Sequence, residues 1–128
     1  MYRVLIVSHS DNYAEAQQIA TLIRSQNVFN PLLLHVAISE MDVVSIKSLV
    51  DGCCAVLVLD NDLLYSDMIT LAVIARSQNT IGKLGFISTN SLFSQAIIDG
   101  RFAGSTLDCN KLNFTQSLEL FLLISIHS

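Results

Sequence analysis

Short apolar runs alternate with stripes of helical period along this chain, and short polar joints separate them. Strand-like runs fall at residues 4–7, at 32–37 after Pro31, at 55–59, at 84–87 and at 105–109. Between them the spacing changes. Ala16, Ile19, Ala20 and Ile23 share one helical face after the candidate caps Asp11 and Asn12, and Met68, Leu71, Ala72 and Ala75 do the same after Ser66. Val43, Ile46 and Val50 form a third stripe stopped by Gly52, a short fourth segment precedes Gly100, and a fifth helix over 115–126 closes the chain. The pattern predicts one α/β domain spanning residues 1–128. Its architecture is a three-layer αβα sandwich around a five-stranded, doubly wound parallel sheet. Right-handed crossovers gather the carboxyl ends of all the strands along one edge, where ligands bind in open α/β sheets.

Composition sharpens this. Hydrophobic residues make up 52% of the 128 positions and charged ones 14%, the balance expected of strands covered on both faces. A chain of this length buries a core without disulfides or a structural metal. The net charge of −4, with no Lys/Arg cluster, gives no footprint for direct nucleic-acid binding. Met1 runs almost directly into Val4-Leu5-Ile6-Val7, and no apolar run is long enough to span a bilayer. The expectation is a cytoplasmic protein with no signal peptide and no membrane partner. Cys53, Cys54 and Cys109 lack metal-ligand spacing to any histidine and read as reduced core thiols without a nearby positive charge in the sequence.

The residues just after the strands carry the candidate chemistry. Asp60 follows Val56-Leu57-Val58-Leu59, the hydroxyls of Ser88 and Thr89 end the next strand, and Lys111 ends the last. Together they offer a nucleophile, a hydrogen-bond donor and a cation to a phosphoryl group. As a turn residue, Asp60 would serve structure alone.

Strand-Asp, strand-Ser/Thr and strand-Lys in this order, over essentially the whole chain, resemble the receiver domain of two-component response regulators, a flavodoxin-like fold. The stretch 111–118 and Gly104 are similar to the receiver ending. The resemblance implies that Asp60 accepts phosphate from a histidine kinase or phosphotransfer protein. It also implies that Ser88 or Thr89 follows the phosphoryl oxygens and that Lys111 pairs with them. Receivers carry an acidic pair after the first strand to hold Mg²⁺; here stand Ser8 and His9. Asp60, Asp11 and Asp62 are the carboxylates left to hold the metal, so Mg²⁺ should bind poorly and no cofactor is required. Leu112 replaces the usual proline after the lysine, and Asp108 takes the place of the aromatic switch residue. The resulting expectation is an atypical receiver, not an enzyme, that acts through protein–protein interaction or dimerisation. A conventional phosphoacceptor using Asp60 is the alternative. An ion pair between Asp60 and Lys111 would set conformation while stabilising the fold by only about 0–1 kcal/mol.

His9 reads as a partly solvated loop histidine, His35 as a side chain within the second strand, and His127 as terminus. Leu118, Leu120, Phe121, Leu122, Leu123, Ile124 and Ile126 leave the last helix almost no polar face, which predicts a homodimer or a downstream output domain packed on it. Ser8-His9-Ser10-Asp11 is also similar to the opening of Toll/interleukin-receptor domains. Their NAD-cleaving members need a glutamate in a helix after the central strand; residues 61–80 contain none, and Ala72 falls near the expected place. A nucleotide or flavin site on the same fold lacks its glycine-rich loop.

Overall fold

Strands β1 (Tyr2–Val7), β2 (Phe29–Leu34), β3 (Ala55–Leu59), β4 (Leu84–Ser88) and β5 (Ser105–Asp108) pair in parallel to form one sheet in the order β2-β1-β3-β4-β5. The structure is a computed structural model that describes residues 2–34, 40–59, 83–88, 105–108 and 112–127. Among these residues the helices are α1 (Tyr13–Arg24), α2 (Val43–Asp51) and α3 (Phe114–His127). None of them is long and apolar enough to cross a membrane. The helical stripe 68–75, the segment before Gly100, Gly104 and His35 lie outside the described residues.

Alternation along the strands builds the two sides of the sandwich. Val4, Ile6, Ala55, Leu57, Leu59 and Ile87 pack with α1 and α3, whereas Leu5, Val7, Val56, Val58, Leu84 and Phe86 pack with α2. Buried on both faces, Val4 to Val7 of β1 and all of β3 must be apolar, which is why they read as unbroken runs. The expected αβα architecture and doubly wound parallel sheet are therefore present. All four residues of the α1 stripe are buried.

Three local expectations change. The second strand begins at Phe29, before Pro31, and Pro31 pairs with Val4 in the middle of it. β2 is an edge strand, bonded to a neighbour on one side only, and that is where a strand tolerates a residue without an N–H. In α2 the buried positions are Ile46 and Val50, with Leu49 packed beside them, while Val43 is exposed in the first turn. In α3 the apolar residues divide into two stripes. Phe114, Leu118, Phe121 and Leu122 face the core, whereas Leu120, Leu123 and Ile124 face outward.

Asn27, between α1 and β2, has φ 58°, a left-handed conformation that asparagine adopts more readily than most residues. Gly85 sits in β4 beneath α3, and a Cβ there would lie 2.9 Å from Phe121 Cζ and 3.0 Å from Leu57 Cδ2. The missing side chain is what lets the Phe121 ring pack onto the sheet.

Candidate functional site

The parallel register places the carboxyl ends of the strands together. Val7 is level with Leu34 on one side and Val58 on the other, and Leu59 pairs with Ile87. Ser88 is the last residue of β4 and pairs with Asp108, the last residue of β5. The sheet therefore brings these two backbone positions side by side at the edge where chemistry was expected. Asp60, Asp62, Thr89 and Lys111 lie outside the described residues.

The described part of this edge is built around the turn that joins β1 to α1. Ser8, His9 and Ser10, with Tyr13 from α1 and Leu33 and Leu34 from β2, line an open cleft of about 360 Å³. A single turn of 3₁₀ helix, Ser10–Asn12, leads into α1. Its capping side chain is His9, whose Nδ1 accepts a hydrogen bond from the Asp11 N–H at 3.1 Å. Asp11 and Asn12 were the expected caps because side-chain oxygens usually fill this role. An unprotonated imidazole nitrogen accepts equally well, and sequence reasoning that treats histidine as a loop residue or ligand misses it.

The same Nδ1 lies 3.4 Å from Asp11 Oδ2. The two contacts exclude one another as hydrogen bonds. A bare Nδ1 accepts from the N–H, and only a protonated one donates to the carboxylate. The backbone bond is the shorter of the two contacts, and it closes the turn. The Asp11 side chain is 74% exposed. At the end of β1 the donor set is thus the hydroxyls of Ser8 and Ser10, an imidazole whose Nδ1 is engaged by the backbone and one solvated carboxylate. Mg²⁺ asks for hard oxygen ligands in a near-octahedral arrangement, which Ser8 and His9 do not supply as an acidic pair would. Among the described residues no three His, Cys, Asp or Glu side chains cluster as a metal site.

At the opposite edge, near the amino ends of the strands, Cys53 is buried and Cys54 partly so. Cationic neighbours come from distant sequence. Lys83 Nζ donates to the Cys53 carbonyl at 3.3 Å, and the Arg3 and Lys83 charges favour the Cys53 thiolate. Burial outweighs them and pushes the Cys53 thiol up; it does the same for Cys54, helped by Cys53 itself. Both are therefore held as thiols, the state expected of core cysteines.

Comparison with solved structures matches this topology. A protein named as pilus assembly-related from Burkholderia pseudomallei superposes with a TM-score of 0.68 at 12% identity, covering 96% of this chain and 90% of the other. A protein named as the pilus assembly protein CpaE from Burkholderia thailandensis superposes with a TM-score of 0.67 at 11% identity, covering 100% of both chains. No family model matches the sequence, and no curated protein does. At such low identity the likeness establishes the fold alone, and that fold is receiver-like.

Proposed function

We propose that this receiver-like domain works as a protein–protein interaction module whose surface does not depend on Mg²⁺-assisted phosphorylation, and that it catalyses no reaction of its own. The observation that carries this reading is the His9 cap. The position where a receiver needs a metal-holding carboxylate is taken by an imidazole whose Nδ1 accepts from the Asp11 backbone. Without a cation to neutralise charge developing between the Asp60 carboxylate and an incoming phosphoryl group, transfer loses its principal electrostatic stabilisation. Two solved proteins of this fold, named for pilus assembly, fit a domain that acts by contact within a larger apparatus.

The proposed contact surface is the outer stripe of α3, and the occupant is a second copy of this chain. Leu120, Leu123 and Ile124 are 60%, 47% and 56% exposed at i, i+3 and i+4 spacing. One apolar stripe on a helix that already buries its other side is self-complementary about a two-fold axis, the commonest symmetry of soluble oligomers.

Two measurements test these statements separately. Intact-protein mass after incubation with a small phosphodonor and Mg²⁺ should show no adduct in protein whose circular dichroism is that of the folded state. An adduct that disappears in Asp60→Ala would overturn the reading and establish the conventional phosphoacceptor in its place. Sedimentation equilibrium should give a dimer that Leu123→Asp converts to monomer without change in helical signal. A wild-type monomer across the micromolar range would remove the α3 interface.

A further inference from the structure

We draw no further inference here: the strongest candidate, the open cleft between the carboxyl ends of β1 and β2 lined by Ser8, His9, Ser10, Tyr13, Leu33 and Leu34, belongs to the site already described.

Discussion

On the side of the sheet covered by α1 and α3, small residues stand where helix and sheet come close. Ala55 and Gly85 lie on the strands and Ala16 and Ala20 on α1, while bulk comes from both layers, Ile6, Leu57, Leu59 and Ile87 on the strands and Phe114, Leu118, Phe121 and Leu122 on α3. On the side covered by α2, the strands present Leu5, Leu84 and Phe86 among Val7, Val56 and Val58, and α2 answers with Ile46 and Val50. The starts of the helices differ in the same way. α1 follows a turn capped by the His9 imidazole, whereas α2 begins at Asp42, whose carboxylate accepts from the Ser45 N–H at 2.7 Å. The first side is therefore limited by room at Gly85. On the second side the core residues are equally buried, and the helix start is capped by an ionisable group.

The largest expected effect comes from adding one carbon where there is no room. Gly85→Ala places a methyl inside contact distance of the Phe121 ring and Leu57, so the ring must leave its place on the sheet. A loss of about 1–3 kcal/mol is expected, read as a lower urea midpoint with an unchanged slope. Phe121→Leu shortens the opposing side chain, so Gly85→Ala should cost clearly less in that background. Strictly additive losses would show that the contact does not limit this face. A smaller effect is expected on the α2 side. Ile46→Val removes one buried methylene from a side chain only 2% exposed, costing about 0.5–1.5 kcal/mol. If Ile46→Val proved the more damaging of the two, the contrast between the faces would fail.

The comparison also explains what the sequence could reveal. Burial on both faces wrote β1 and β3 as continuous apolar runs, and the Ala16, Ile19, Ala20, Ile23 stripe wrote the buried side of α1, because both depend on local period alone. The beginning of β2 was hidden because Pro31 is tolerated only through the strand's place at the edge, which is a fact about neighbours. Val43 continues the helical stripe in sequence yet stands in the first turn of α2 beyond the sheet's reach. The partnership of Gly85 with Phe121 and the approach of Lys83 to Cys53 join residues 36 and 30 positions apart (121 − 85 and 83 − 53), beyond any periodic signal. At the candidate site, the replacement of an acidic pair by Ser8 and His9 was legible at once. What His9 does was not, because a capping imidazole depends on a turn geometry that composition does not encode.

The smallest effect distinguishes the two helix starts by proton linkage. The backbone hydrogen bond from Ser45, then the bond to its side chain and a weaker one from the Val44 N–H, hold the Asp42 carboxyl below its usual range. Each favours the ionised form. A carboxyl whose pKa is lower in the folded than in the unfolded state contributes stability that is fully present above the unfolded value, near pH 4, and is lost as the pH falls through the folded one. Asparagine is an equally good cap but carries no titrating proton, so Asp42→Asn keeps the turn and removes the linkage. Thermal melts from pH 7 down to pH 2 should therefore show the wild type falling more steeply than Asp42→Asn below about pH 4. Parallel curves would mean that the Asp42 cap acts through geometry alone.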